Sequence, residues 1–279
     1  MTRPADSAVH WRERGSGPPL VLINGWGASG LVWPRSWLDD LAHRYRVIRP
    51  DNRGTGWSRF AETPFTMADL AADVRAILDA ADVDTAVIAG ISMGGMIAQE
   101  LTLRSPDRVS GLVLVATAPP LPAFRPTVRS PLLLHLLRPP GRGPAFEAYL
   151  HRLWADAAAP GFDERHPEVI DELVSQSLAR RTPRSLALAQ ARAIMGWGHA
   201  ERLRRIRVPT VIVHGACDPL INPTNGREIA CRITGSEYIE LPGVGHLIPH
   251  EAPRPLLEIV AEMAGMTERS AGVPLAEAG

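Results

Sequence analysis

The stretch A-V-I-A-G-I-S-M-G-G at residues 86–95 decides the fold of this chain. A short apolar run ends in the pattern G-x-S-x-G, and apolar residues at helical spacing follow it. Ser92 is therefore predicted to lie in a turn between a strand and a helix. Gly90 and Gly94 fit such a turn, because larger side chains two residues either side of the serine would collide. This turn would lift Ser92 clear of the sheet, as a nucleophile requires.

Apolar strands and amphipathic helices alternate on both sides of this turn. Besides the strand before Ser92, the pattern predicts strands at residues 9–14, 20–23, 46–49, 111–116, 208–214 and 238–241. The clearest helix begins after Thr66, where T-M-A-D has the form of a capping box. Apolar strands of this kind are typical of parallel sheets with both faces covered. The sequence therefore predicts an α/β fold with a mostly parallel, twisted sheet flanked by helices.

Residues 119–207 interrupt this alternation. Prolines crowd residues 119–144, no strand is indicated, and helical patterns occur around 146–154, 168–178 and 186–195. We interpret the segment as an inserted helical lid on a core formed by residues 1–118 and 208–265. A closing helix is expected at 255–264, and the small, polar residues 266–279 are expected to form a flexible tail.

Composition and charge exclude several classes of protein. The 30 basic and 30 acidic side chains cancel, and no long run of one sign suggests a nucleic-acid or anionic-membrane partner. No segment approaches the roughly 18 apolar residues of a membrane span, and residues 1–15 lack the apolar core of a signal peptide. A cytoplasmic protein with a small-molecule partner is expected. Cys217 and Cys231 indicate neither a metal cluster nor a disulfide framework, and are expected to be reduced and buried.

A serine alcohol needs a base and an acid that orients the base, and two later residues fit these roles. Asp218 and His246 each follow a predicted strand, where the loops of an α/β sheet form the binding crevice. The chain order Ser, Asp, His is the order that this kind of turn requires. Ser92, Asp218 and His246 are therefore the predicted catalytic residues. His214 is expected to be a core or supporting group, and His250 to lie at a helix start or on the surface.

Four separated motifs together resemble the α/β-hydrolase superfamily over residues 9–264. They are N-G-W-G at 24–27, D-N-R-G-T-G-W-S at 51–58, G-I-S-M-G-G at 90–95, and G-A-C-D at 215–218 with G-H at 245–246. The resemblance implies an α/β-hydrolase fold and an oxyanion hole made by the backbone N–H groups of Trp26 and Met93. Asn24 stands where the superfamily more often has histidine. In this respect the chain is similar to 3-oxoadipate enol-lactonases and to some methyl-ester hydrolases of polyketide pathways.

These features predict a serine hydrolase that cleaves a small carboxylic ester or lactone through an acyl-enzyme, with no metal or organic cofactor. Three alternatives stay open. One is hydrolysis of a carbon–carbon bond in vinylogous diketones, the meta-cleavage products. The others are cofactor-free haloperoxidase or perhydrolase activity, and a ligand receptor of the same fold that does no chemistry. Resemblance in fold does not separate these functions.

The lid is expected to select the substrate. The residues predicted to line the substrate pocket are Gly25, Trp57, Leu136, Trp154 and Trp197. Their character predicts an apolar or aromatic substrate. Four arginines are candidates to pair with a substrate carboxylate, with solvation as the alternative: Arg125, Arg129, Arg138 and Arg192.

Overall fold

The computed structural model describes residues 9–59, 63–125 and 143–270. Its strands are β1 (Trp11–Arg14), β2 (Pro19–Ile23), β3 (Arg46–Pro50), β4 (Ala86–Ile91), β5 (Val109–Val115), β6 (Thr210–Gly215) and β7 (Glu237–Leu241). They form one seven-stranded sheet in the order β1-β3-β2-β4-β5-β6-β7. β1 is antiparallel to β3, and the other neighbouring strands are parallel. The predicted α/β fold with a mostly parallel sheet is confirmed.

Helices cover both faces of this sheet. The α-helices of the described residues are α1 (Arg35–Ala42), α2 (Met67–Ala80), α3 (Met93–Arg104), α4 (Pro144–Ala157), α5 (Phe162–Arg165), α6 (Pro167–Ala179), α7 (Arg184–Met195), α8 (Thr224–Ala230), α9 (Ile248–Glu251) and α10 (Pro253–Ser270). Alternate side chains of β2 enter different cores. Val21 and Ile23 pack with α2 and α3, whereas Leu20 and Leu22 pack with α1 and α10. The central strands are thus buried on both faces, which explains their unbroken apolar runs.

The predicted capping box begins α2. The Thr66 hydroxyl accepts a hydrogen bond from the Asp69 N–H, and the Asp69 carboxylate accepts one from the Thr66 N–H at 2.8 Å. Both contacts satisfy N–H groups that the first helical turn leaves without partners.

The segment between β5 and β6 is helical, as the sequence indicated. α4 and α6 pack together through Phe146, Leu150, Leu173 and Val174, which form a small core of their own. In the described part of this segment, strand-like pairing is limited to one isolated bridge between Leu121 and Gly198. A lid that spans residues 119–207 stays our interpretation of this segment.

Two expectations about the chain were wrong. The closing helix does not end at residue 264, because α10 continues to Ser270. Gly111 of β5 has no side chain, so Met263 and Thr267 of α10 approach the sheet closely and the helix has a surface to pack on. Cys217 and Cys231 are exposed rather than buried, and neither forms a disulfide.

Across the described ranges, the helices are too short or too polar to cross a bilayer.

Candidate active site

Ser92 lies at the end of β4, in the turn that leads into α3. Its backbone has φ 57° and ψ −122°, a conformation that residues other than glycine rarely adopt. Close packing around Ser92 leaves no room for a side chain at Gly90 or Gly94. A Cβ atom at Gly90 would lie 2.3 Å from the Gly94 carbonyl oxygen, and one at Gly94 would lie 2.1 Å from the Ile23 carbonyl oxygen. The two glycines therefore allow the turn that the sequence predicted.

Two hydrogen bonds hold the Ser92 backbone in this conformation. Its N–H donates to the Val115 carbonyl at 2.9 Å, and its carbonyl accepts from the Thr117 hydroxyl at 2.6 Å. Both partners lie at the end of the neighbouring strand β5, so the sheet itself positions the serine.

Asp218 and His246 form a buried pair. Asp218 Oδ2 lies 2.7 Å from His246 Nδ1, and Asp218 Oδ1 accepts from the N–H groups of Leu220 and Ile221 at 2.8 and 2.9 Å. Burial alone would raise the pKa of the Asp218 carboxyl, but His246 and His214 outweigh it and hold that pKa well below its usual range. An ionised Asp218 fixes the His246 ring with Nδ1–H towards the carboxylate, which leaves Nε2 to act as a base.

His214 supports the same carboxylate from inside the sheet. Its ring is fully buried at the end of β6, with Nε2 lying 2.8 Å from the Ile221 carbonyl and 3.3 Å from Asp218 Oδ2. The carbonyl accepts the Nε2–H, so the ring donates towards the Asp218 turn. The expectation of a core or supporting histidine is confirmed.

Glu251, which the sequence analysis missed, anchors the loop that carries His246. Its carboxylate accepts hydrogen bonds from the N–H groups of Gly245, Leu247 and Ala159 at 2.8, 2.9 and 2.9 Å. Burial raises the pKa of Glu251 above its ordinary value, although these three donors oppose the rise. An acidic residue shortly after a histidine gives no sequence signal for contacts of this kind.

The N-G-W-G loop lies directly beside Ser92. A Cβ atom at Gly25 would be 3.2 Å from Ser92 Cβ and 3.6 Å from its hydroxyl oxygen. The backbone N–H groups of Trp26 and Met93 donate no hydrogen bond to any residue that the structure describes. Met93 is the first residue of α3, where N–H groups have no partner within the helix. Two free donors thus lie on the segments that flank the serine.

Helix α7 holds the N-G-W-G loop from the other side. The Trp26 indole N–H donates to the Ala187 carbonyl at 2.8 Å, and the Gly27 N–H donates to the Gln190 side chain at 2.9 Å. The Thr182 hydroxyl, just before α7, donates to the Gly27 carbonyl at 2.9 Å. The loop is therefore fixed between the sheet and the helical segment.

A cavity of about 210 Å³ opens above these groups, and Ser92 and His246 both line it. Its wall is largely apolar. Gly25 and Trp154, both predicted to line the pocket, are part of this lining, together with other residues of α4: Phe146, Tyr149, Leu150 and Leu153. The described residues contain no group of three or more histidine, cysteine or acidic side chains that could hold a metal ion.

Other predicted pocket residues lie elsewhere. Trp57 does not line the cavity. It stacks on His10, and the guanidinium groups of Arg12 and Arg180 lie over its ring. Trp197 is buried, with its indole N–H donating to Glu100 at 3.0 Å. Tertiary contacts that sequence spacing does not encode explain both placements.

Among the candidate arginines, Arg125 and Arg192 do not line the cavity, while Arg129 and Arg138, like Leu136, fall outside the described residues. His250 was expected near a helix start or on the surface. It is indeed in the short helix α9, but it lines the cavity and donates from Nε2 to the Val32 carbonyl at 2.9 Å. The surface alternative was wrong, because α9 packs against the loop at Val32.

The sequence profile of the alpha/beta hydrolase fold matches residues 18–253. The chain belongs to the α/β-hydrolase family. It is 31% identical to a protein named as a carbamate hydrolase, RutD, of Azorhizobium caulinodans, over 77% of this chain and 79% of that protein. It is also 31% identical to a protein of Mycobacterium tuberculosis named as a non-heme bromoperoxidase, BpoC, over 86% and 91% of the two chains.

A solved structure of the family extends these similarities. The enol-lactonase of Burkholderia xenovorans superimposes with a TM-score of 0.78 at 25% identity, over 92% of this chain and 96% of that one. The fold is thus shared over nearly the whole length of both chains, and the resemblance to the α/β hydrolases, enol-lactonases included, is confirmed.

Proposed function

We propose that this protein is a serine hydrolase that cleaves a small carboxylic ester or lactone through an acyl-enzyme. One observation supports this most strongly. A buried, ionised Asp218 lies 2.7 Å from the Nδ1 of His246, and this histidine shares a cavity with Ser92 in a strained turn. The proposed nucleophile and base thus line one cavity, and the proposed orienting acid contacts the base, although the three residues come from distant parts of the chain.

The chemistry follows from these positions. His246 Nε2 accepts the hydroxyl proton of Ser92 as the oxygen attacks the carbonyl carbon, and the imidazolium is stabilised by Asp218. The N–H groups of Trp26 and Met93 donate to the oxyanion, each contributing on the order of 3 kcal/mol to the stability of the transition state. His246 then protonates the leaving alcohol. In the second half, His246 takes a proton from water, hydroxide attacks the acyl carbon, and Ser92 recovers its proton.

The relatives support an acyl substrate. Carbamates and enol lactones, for which two of the similar proteins are named, are both attacked at an acyl carbon. The relative named as a bromoperoxidase favours a second candidate function, which is perhydrolysis at the same site. There, hydrogen peroxide replaces water in the second half of the cycle, and a peracid leaves in place of the acid. We further propose that residues 119–207 act as the lid over this site.

Steady-state kinetics on an aryl acetate, a small lactone and a vinylogous diketone test the proposal. Ser92→Ala and His246→Ala are expected to lose at least about a thousandfold in kcat while the protein stays folded, because each removes a member of one catalytic unit. His151→Ala is the matched control. His151 also faces an aspartate, Asp171 at 3.7 Å, but this pair is exposed and outside the cavity, so activity should be retained.

The substrates distinguish the alternatives. Turnover of the ester or lactone that is lost in both site variants supports the proposal. Turnover of the diketone alone would replace it with carbon–carbon bond hydrolysis, and acyl transfer to peroxide but not to water would favour perhydrolysis. Tight ligand binding with no turnover of any substrate would contradict an enzymatic function.

A further inference from the structure

Three arginines that the sequence analysis did not single out line the same cavity. Arg180 and Arg181 follow α6, and Arg184 begins α7. In the described part of the chain, none of the three forms an ion pair with a carboxylate, and none of their guanidinium groups donates a hydrogen bond. Guanidinium groups are strong donors that are normally paired when they are partly buried.

The described lining of the cavity offers these arginines no counter-charge. No aspartate or glutamate is among the described residues that line it, and residues 126–142, outside the described ranges, contain neither amino acid. His250 adds no charge near neutral pH, because burial lowers the pKa of its ring to about 4 against the effect of its bond to Val32. The described wall therefore carries positive charge without an acidic partner in an apolar setting, where attraction for an anion is stronger than in water.

Arg181 is the arginine best placed to bind an anion. Its guanidinium carbon lies 3.7 Å above the ring of Phe146, which is buried and itself lines the cavity. This cation–π contact holds the guanidinium against the ring, and no described residue accepts a hydrogen bond from its N–H groups. Arg180 covers Trp57 outside the lining, and Arg184 is exposed.

The position of Arg181 is tied to the site of attack. Its neighbour Thr182 donates to the Gly27 carbonyl at 2.9 Å, in the loop that carries the proposed oxyanion donor Trp26. Gln190 holds the same loop from α7. These hydrogen bonds join the segment that carries Arg181 to the loop beside Ser92. A molecule that contacts both Arg181 and Ser92 would thus bind to two segments that are held together.

We propose that the substrate is an ester or lactone that carries a carboxylate remote from the scissile bond, and that Arg181 binds this carboxylate. The planar guanidinium matches the two oxygens of a carboxylate, whereas the aromatic and leucine side chains of α4 fit the apolar chain between the two ends. Arg184 adds positive charge to the lining of the same cavity. This inference rests on the proposed function, because it takes the bound anion to be part of the hydrolysed molecule.

The test compares monomethyl and dimethyl esters of the same straight-chain dicarboxylic acids, from succinate to suberate. The wild-type protein is expected to favour the charged monoester of at least one length by about tenfold or more in kcat/KM. Arg181→Met keeps an apolar stem on Phe146 and removes the charge. It should lower kcat/KM for that monoester by about tenfold or more, mainly through KM, with a much smaller effect on the diester. Arg192→Met, at an exposed lid arginine outside the cavity, is the matched control and should leave the preference unchanged.

Equal losses on both esters in Arg181→Met, or a wild-type preference for the diesters at every length, would overturn the inference. Calorimetric binding of free adipate to Ser92→Ala, alone and combined with Arg181→Met, gives a readout that needs no turnover. If the wild-type protein hydrolyses none of these esters, adipate binding to Ser92→Ala that the second substitution abolishes would contradict the proposed function and retain the anion site. No adipate binding together with no monoester preference would eliminate the site.

Discussion

Among single residues, Asp218 shows most clearly how the surroundings set a chemical state. Its carboxylate is buried, yet two histidines and two backbone N–H groups surround it. Removal from water disfavours the charged carboxylate, and these neighbours more than offset that penalty. The same contacts orient His246, so the ionisation of Asp218 and the position of the His246 ring have one cause.

This ionisation makes a prediction about stability in acid. The pKa of Asp218 is lower in the folded protein than its unfolded value of about 3.9, so the carboxylate stabilises the fold above that pH and the contribution is lost as pH falls further. We expect the difference in unfolding free energy between wild type and Asp218→Asn to shrink below about pH 4, as measured by urea unfolding across pH.

Asp156→Asn provides the control, because it replaces an exposed carboxylate on α4 and should follow the wild-type pH dependence. If the unfolding free energies of wild type and Asp218→Asn change in parallel with pH through the acid range, the charged, histidine-paired state of Asp218 is contradicted.

Among elements, α2 shows what local sequence alone specifies. The capping box at Thr66 and Asp69 is formed by residues three positions apart and is largely exposed, so no distant contact decides it. We expect Thr66→Ala to lower the free energy of unfolding by about 1 kcal/mol, because one N–H of the first turn loses its acceptor. Activity should not change, since α2 does not line the cavity.

Thr66→Ser keeps the hydroxyl and should retain most of the stability in the same thermal and urea unfolding measurements. A Thr66→Ala protein as stable as wild type, or a Thr66→Ser protein as unstable as Thr66→Ala, would show that the hydroxyl does not stabilise α2.

Elements with a strong local signal were therefore predictable from the sequence. The strands around Ser92, the helix after Thr66 and the helical segment after β5 all show their own periodicity, and the structure contains each of them. The end of α10 was not predictable, since it depends on the bare surface at Gly111 of β5. Burial of Cys217 and Cys231 was also expected from residue type alone, and residue type does not decide which side of a loop faces water.

Across the whole molecule, Ser92, Asp218 and His246 could be predicted from the sequence as candidate site residues because each follows a predicted strand. In the structure, Asp218 contacts His246, and His246 lines the same cavity as Ser92. Contacts between distant segments were beyond such reasoning. Glu251 also bonds to Ala159, 92 residues earlier, and Arg181 lies over Phe146, while nothing in the local sequence distinguishes Arg181 from the exposed Arg192. Trp57 was predicted to line the pocket from its place in a motif, but it packs against the guanidinium groups of Arg12 and Arg180.

Covalent labelling with a fluorophosphonate, followed by intact-mass measurement, tests the central claim most directly. An activated serine displaces fluoride and forms a stable phosphonate ester, so no knowledge of the substrate is needed. We predict fast addition of a single adduct to the wild-type protein, lost in Ser92→Ala and in His246→Ala and retained in His151→Ala. An adduct that persists in Ser92→Ala, or no adduct on the wild-type protein, would contradict an assembled Ser92, His246 and Asp218 triad.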